Sequence, residues 1–180
     1  MIPPRKNAAF VADMERVPDI YKRPYDERFP VVSYDEMPRQ LLEEVREMQP
    51  MIPGHPRRVD YEYRRMGTCN ILLASEPLRG WRMAEVTSTK TAKDGDRFTE
   101  KIALEYPKAE KIILFEDNLN THKPASWYET CPPDKAKALM DKFELIYTPK
   151  HGSWLNMAEI ELNVVSTQCL KKRIASWKKP

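Results

Sequence analysis

Long apolar runs are missing from this sequence. The purely aliphatic or aromatic stretches are short, such as the five residues Ala8-Ala9-Phe10-Val11-Ala12 and the four of Ile112-Ile113-Leu114-Phe115, far below the roughly 18 residues that a membrane-crossing helix needs. Cysteine and histidine are scarce too. Cys69, Cys131 and Cys169 are odd in number, widely separated and without C-x-x-C spacing, which excludes a disulfide framework or zinc ribbon and predicts three reduced, partly buried thiols. His55, His122 and His151 are equally scattered, so no histidine-built metal centre is expected. The opening Met1-Ile2-Pro3-Pro4-Arg5-Lys6 carries basic residues without an apolar stretch behind them. No secretory signal is expected there, and the chain reads as cytoplasmic. Neither sign of charge dominates, since 30 Lys and Arg against 27 Asp and Glu give a net charge of +3, so the charge pattern along the chain says more than the total.

Proline is plentiful by contrast. The chain has 16 prolines in 180 residues, against a usual share of about 5%. Nine of them fall in the first 56 residues, which makes the N-terminal third extended and loop-rich. The hydrophobic share of 41% is enough for the core of one domain, and the length leaves no room for two comfortable ones.

Residues 1–29 read as an extended arm with space for one short helix, about Ala8 to Arg16. Val31-Val32-Ser33-Tyr34-Asp35-Glu36 is β-branched at its start and acidic at its end, and predicts a strand. Arg39 to Met48 predicts a short amphipathic helix through Leu41, Leu42 and Val45. Cys69–Ala74 and Arg82–Thr87 predict a hairpin whose turn holds Pro77 and Gly80. Phe98, Ile102 and Tyr106 recur at helical spacing over Asp96 to Tyr106, and Pro107 stops that helix. Lys111 to Phe115 has the continuous apolar character of a buried strand. Asp134, after Pro132-Pro133, is placed to cap a helix carrying Ala136, Leu139 and Met140. Phe143, Leu145 and Tyr147 alternate as in a strand ended by Pro149. A last helix is expected from about Leu155 to Lys172, with Ala158, Leu162, Val165 and Cys169 as its core stripe.

This order of a meander followed by alternating helices and strands predicts an α/β domain, and it matches the ribonuclease H-like fold, a mixed central sheet with flanking helices. In that topology the first strand and the strand after the first core helix lie side by side, which brings Asp35 and Asp117 together. Paired carboxylates repel unless a cation neutralises them, and oxygen-only ligands suit Mg²⁺. A third acid from the last helix would complete a two-metal site for in-line phosphoryl displacement. Each acid has an ordinary reading as well. Asp35 precedes Met37-Pro38 and Asp117 precedes Asn118, both compatible with simple turns. Glu159 stands three residues after Asn156, as in a capping box. Glu161 competes with Glu159, and helical periodicity leaves that choice open.

Two longer motifs narrow the reading. Asp117-Asn118-Leu119-Asn120-Thr121-His122, and Tyr147-Thr148-Pro149-Lys150-His151-Gly152-Ser153-Trp154-Leu155-Asn156-Met157-Ala158-Glu159, resemble the catalytic core of insertion-sequence-630-family transposases, bacterial relatives of mariner elements. Val31–Glu36, Val59–Tyr63 and Glu76–Trp81 resemble the same family, and the likeness spans about Pro3 to Arg173. The resemblance implies a DDE-type catalytic domain over residues 30–173, preceded by the arm and followed by a basic tail, 174–180. It implies Asp35, Asp117 and Glu159 as catalytic and metal-binding carboxylates, and it favours Glu159 over Glu161 because the family's acid follows the Leu-Asn pair. Asn118, Asn120 and His122 are further motif residues. The implied cofactor is two Mg²⁺ ions, with Mn²⁺ as substitute, and the implied partners are transposon-end and target DNA, with a homodimer plausible because two ends must meet.

The family's helix-turn-helix region, which recognises the element ends, has no counterpart in the N-terminal arm. The sequence therefore reads as a catalytic domain alone: a fragment, a degraded copy, or the second half of a split reading frame whose DNA-binding half lies on a separate chain. The alternative is an inactive truncated remnant that keeps the fold and weak non-specific DNA binding. Arg57, Arg58, Arg64 and Arg65 cluster between strands, and Lys171, Lys172 and Arg173 lie near the end of the chain. They are candidates for phosphate contacts, with a solvated surface as the ordinary reading.

Overall fold

The computed structural model describes residues 8–46, 52–55, 61–117, 125–149 and 152–177. The elements follow the order α1 (Ala8–Tyr21), β1 (Val31–Glu44), β2 (Tyr63–Glu76), β3 (Trp81–Thr87), α2 (Ala92–Glu105), β4 (Ile112–Glu116), α3 (Ala125–Thr130), α4 (Pro133–Lys142), β5 (Phe143–Tyr147) and α5 (Ala158–Gln168). Their strands form one five-stranded sheet in the order β3-β2-β1-β4-β5. The β1–β2 and β2–β3 pairs are antiparallel, while β4 runs parallel to both β1 and β5. A meander thus supplies one half of the sheet and helix-connected parallel strands supply the other, as the element order predicts.

Helices cover both faces. On one, Phe98 and Ile102 of α2, Trp127 of α3 and Leu139 of α4 pack on Val32, Tyr34, Leu72 and Leu114. On the other, Val17 and Ile20 of α1 meet Ile113, Phe115 and Ile146, and Ala158 and Leu162 of α5 meet Ile71 and Leu73. Every residue of β4 is therefore buried, the physical reason its Ile112–Phe115 segment reads as an unbroken apolar run. Among the described residues, no helix is long and apolar enough to cross a membrane.

Several elements depart from the sequence expectation. Helix α1 runs on to Tyr21 with Pro18 inside it. An interior proline costs about 3 kcal/mol, but Val17 and Ile20 are both buried, and each such side chain returns about 1.5–3 kcal/mol. The helix expected over Arg39 to Met48 is instead the second half of β1, paired with β2 as far as Glu44 opposite Tyr63. Because β4 pairs with β1 only over Val31 to Ser33, Pro38 sits where one strand edge is open and its missing N–H is tolerated. A bulge follows: Leu41 opposes Gly67 and Leu42 opposes Arg65, with Gly67 at φ 105° supplying the backbone angle that a side chain would resist. Beyond the bulge, the Leu42 N–H donates to the Ile174 carbonyl, so the end of the chain covers that open edge.

Helix α2 starts at Ala92, a turn before the expected Asp96, because Thr91 and Asp94 form a capping box. Helix α3, which the sequence reading lacks, is held by Ser126 and Thr130 hydroxyls donating to buried Asp96. The cap position of α4 is Pro132, with no side-chain cap bond, and Asp134 lies in the first turn instead. The last helix is shorter than expected: a 3₁₀ turn occupies Ser153–Leu155, and α5 proper spans Ala158–Gln168. Cys169, expected in its core stripe, is exposed, whereas Cys69 is buried and Cys131 half-buried, and all three are free thiols.

Candidate active site

Three elements each deliver one acid to the same point. Ser33 is the last β1 residue paired to β4, opposite Phe115. Continuing that parallel register by two residues sets Asp35 opposite Asp117, which directly follows β4. Glu159 is the second residue of α5, the helix that Ala158 and Leu162 seat on β2. One carboxylate oxygen from each of Asp35, Asp117 and Glu159 lies within 4.8 Å of the others, the two aspartates half-buried and the glutamate exposed.

Among the described residues, the surroundings hold these acids without neutralising them. Asp35 Oδ1 accepts the Glu36 backbone N–H at 2.7 Å. Thr148, buried beyond the end of β5, donates its hydroxyl to Asp117 Oδ1 at 3.0 Å. Among the described residues, no Lys or Arg forms an ion pair with any of the three. Burial pushes the Asp35 carboxyl up from 3.8 to about 6, and the negative charges of Asp117 and Glu159 push the same way against the Glu36 N–H. A crowded cluster of carboxylate oxygens, with no cation paired to it among the described residues, fits a hard divalent cation such as Mg²⁺ or Mn²⁺.

Glu161, the competitor of Glu159, is committed elsewhere. It receives a bidentate pair from Arg82, Nε at 2.5 Å and Nη2 at 2.8 Å. The capping-box reading of Asn156 and Glu159 also gives way. The Asn156 backbone N–H already donates to the Ser153 carbonyl, and its buried side chain donates to the Tyr34 carbonyl at 2.8 Å while accepting from the Ala158 N–H at 3.1 Å. The ordinary turn reading of Asp35 fails because β1 continues straight past it to Glu44.

Two neighbours escaped the sequence reading. Glu36 accepts from the Tyr34 hydroxyl at 2.8 Å and pairs with Lys90 at 3.2 Å, so this buried acid has its own cation. Thr148 stood within a recognised motif, but its contact with Asp117 depends on β5 lying beside β4. Asn118, Asn120 and His122 lie outside the described residues, as do Arg57 and Arg58. Of the remaining basic candidates, Arg64 is exposed, 3.8 Å from Glu43, and Arg65 is exposed as well. Arg173 bonds Glu44 at 2.6 Å and lies over the Tyr63 ring. Lys171 and Lys172 line, with Arg39, a surface groove of about 400 Å³. None of these basic residues belongs to the acidic cluster.

A family model described as DDE superfamily endonuclease matches residues 30–179. The chain belongs to this family. Its fold is also that of solved mariner transposase structures. The DDE domain resembles a pre-cleavage Mos1 transpososome with a TM-score of 0.63 and 16% identity, over 98% of this chain and 54% of that one. The Mos1 mariner paired-end complex with Mn gives 0.58 and 16% over the same shares, and the Mos1 strand transfer complex gives 0.58 and 15%, over 98% and 53%. At this identity the likeness is one of fold, the ribonuclease H-like sheet with helices on both faces. The chain spans about half the length of these Mos1 chains. No curated protein matches it in sequence.

Proposed function

We propose that this DDE domain is the catalytic part of a transposase that cuts DNA strands at the ends of a mobile element and joins them to target DNA. The observation that carries this reading is the meeting of one carboxylate oxygen from each of Asp35, Asp117 and Glu159 within 4.8 Å, from three separate elements. These three side chains would hold the metal, two Mg²⁺ ions with Mn²⁺ as substitute. Bound there, such ions supply an activated water or 3′-hydroxyl and stabilise the leaving oxygen of a phosphodiester.

The chain's own residues supply the rest. Asp35 and Asp117 stand on adjacent strands, so the sheet fixes their separation. Thr148 fixes the rotation of the Asp117 carboxylate. Glu159 is exposed at the near end of α5, where a phosphate backbone can approach. Residues 30–173 form the catalytic domain in this reading, with residues 1–29 as the arm whose helix α1 packs against it and 174–180 as the basic tail. Exposed Arg64, Arg65, Lys171 and Lys172 are assigned to DNA phosphates, together with Arg57, Arg58 and Arg173. Asn118, Asn120 and His122 are proposed as further functional residues on the motif they share with Asp117. The solved Mos1 relatives are a paired-end complex with a transposon end and a strand transfer complex, which supports DNA as the partner; a homodimer that joins two ends and a separate chain that supplies end recognition complete the proposal. A cytoplasmic location accords with a DNA substrate.

Nicking of a supercoiled plasmid by the purified chain, with Mg²⁺ or Mn²⁺ and with Asp117→Ala alongside, tests the proposal. Metal-dependent nicking that Asp117→Ala abolishes supports it. Equal nicking by both proteins overturns the catalytic assignment, and a chain that binds Mn²⁺ and DNA but never cuts is the inactive remnant.

A further inference from the structure

The acids of the cluster come from elements far apart in sequence, and two polar side chains tie those elements together one and two residues before the acids themselves. Asn156 is 1% exposed. Its Nδ2 donates to the carbonyl of Tyr34, the residue before Asp35, and its Oδ1 accepts from the N–H of Ala158, the residue before Glu159. Tyr21 of α1 makes a second tie one step further back. Its hydroxyl lies 2.9 Å from Ser33 Oγ and accepts the Met157 N–H at 3.4 Å. Ser33 and Tyr34 lead into Asp35, as Met157 and Ala158 lead into Glu159.

We infer that Asn156, supported by Tyr21, is a positioning residue that sets the distance between the Asp35 and Glu159 carboxylates. The physical case rests on what else could hold that distance. β1 and β4 fix Asp35 and Asp117 through sheet hydrogen bonds, but α5 shares no backbone ladder with the sheet. Its apolar contacts, Ala158 and Leu162 on Ile71 and Leu73, are non-directional and tolerate sliding, and its ion pair to β3, Arg82 with Glu161, ends on a long, partly exposed side chain that can follow such a shift. A buried amide with a donor and an acceptor engaged at fixed angles does not. Breaking it would also leave the buried Tyr34 carbonyl without that donor, so the tie resists exchange. Tyr21 adds rigidity from the other side, because its ring stacks on Phe115 at a centroid distance of 4.5 Å. The N-terminal helix thereby contributes to a site whose acids all lie within the family-matched residues 30–179.

The inference rests on the metal-site reading above, and the test separates the two. Mn²⁺ binding to the full 180-residue chain, without DNA, is followed through the resonance signal of the free ion. The variants are Asn156→Ser, Tyr21→Phe, Glu159→Gln and the Asn156→Ser/Glu159→Gln double variant, each checked for folding by circular dichroism. Asn156→Ser keeps an oxygen able to cap the helix and loses the arm that reaches Tyr34. Tyr21→Phe keeps the stacked ring and loses only the hydroxyl.

Asn156→Ser is expected to weaken Mn²⁺ binding by about 10- to 100-fold, the usual effect of removing a group that orients metal ligands, and Tyr21→Phe by a smaller factor. In the Glu159→Gln background the same Asn156→Ser change is expected to alter affinity by less than about two-fold, because its effect passes through the missing carboxylate. Wild-type affinity in Asn156→Ser, or an undiminished effect in the Glu159→Gln background, overturns the inference while leaving the metal site standing. Wild-type affinity in Glu159→Gln overturns the metal-site reading and the inference together. If Asn156→Ser does not fold, Tyr21→Phe carries the same comparison.

Discussion

Replacing Asp35 by asparagine should make the metal-free protein more stable while removing its response to metal. The Asp35 carboxyl is raised from 3.8 to about 6 by burial and by the Asp117 and Glu159 charges. An acid that binds its proton more tightly when folded loses stability as pH climbs from the unfolded to the folded value, here between about 4 and 6, and the loss is complete above that window. The shift corresponds to roughly 3 kcal/mol at neutral pH. An asparagine amide still suffers part of the burial, so a gain of about 2 kcal/mol is the reasonable expectation, or about 4–8 °C in melting temperature for a chain of this size. Saturating Mn²⁺ should tell the two proteins apart. It stabilises the original chain, by about 2.7 kcal/mol at a hundred times the dissociation constant, and leaves Asp35→Asn nearly unmoved. Thermal melts at pH 7.5, with chelator and then with millimolar Mn²⁺, measure both effects. An Asp35→Asn variant that melts lower than the original chain in chelator would refute the argument, since the cluster would then carry no net repulsion to relieve.

Other consequences can be checked alongside. Thr148→Val removes the hydroxyl that holds Asp117 at nearly constant volume, and should weaken Mn²⁺ binding about 10-fold in the same free-ion titration. Glu161→Gln breaks only the partly exposed pair with Arg82, so its cost should stay within about 1 kcal/mol and plasmid nicking should persist, whereas Glu159→Gln should abolish nicking. Thr91→Ala removes one half of the α2 capping box and should cost about 1 kcal/mol in denaturant unfolding. The other half is pH-dependent: burial raises the Asp94 carboxyl, but hydrogen bonds from Thr89 and Thr91 and the charge of Arg97 together outweigh it and lower the carboxyl, so the stability it adds is present above 3.8 and fades as pH falls below that value. An Asp94→Asn variant should therefore narrow its deficit against the original chain in melts run from pH 6 down to pH 3.

The juxtaposition of Asp35 and Asp117 was legible in the sequence because it depends only on element order. A strand followed by a hairpin partner, a helix and a buried apolar strand leaves few places for that last strand except beside the first. The extent of β1 was not legible. Leu41 and Leu42 suit a helical stripe as well as a strand, and what decides for the strand is pairing with residues 63–70 of β2, a long-range fact that local pattern does not hold. Helix α3 is six residues long, too short for a period to show, and it depends on Asp96 from another helix. Pro18 signals an early end to α1, yet burial of Val17 and Ile20 on the parallel half of the sheet outweighs that signal. Glu159 and Glu161 differ in their partners because Arg82 on β3 reaches Glu161, a long-range contact that helical periodicity does not hold. Asn156 likewise passed for a helix cap because half of its work is capping, and the other half is done on Tyr34, far away in the chain.

The central claim is that Asp35, Asp117 and Glu159 together hold the metal at which DNA is cut. Crystals of the chain soaked in Mn²⁺ and measured for anomalous scattering would test it most directly. The account predicts anomalous density bounded by those three carboxylates, and its loss in Asp117→Ala. Anomalous density at other residues, with none among these three, would contradict it.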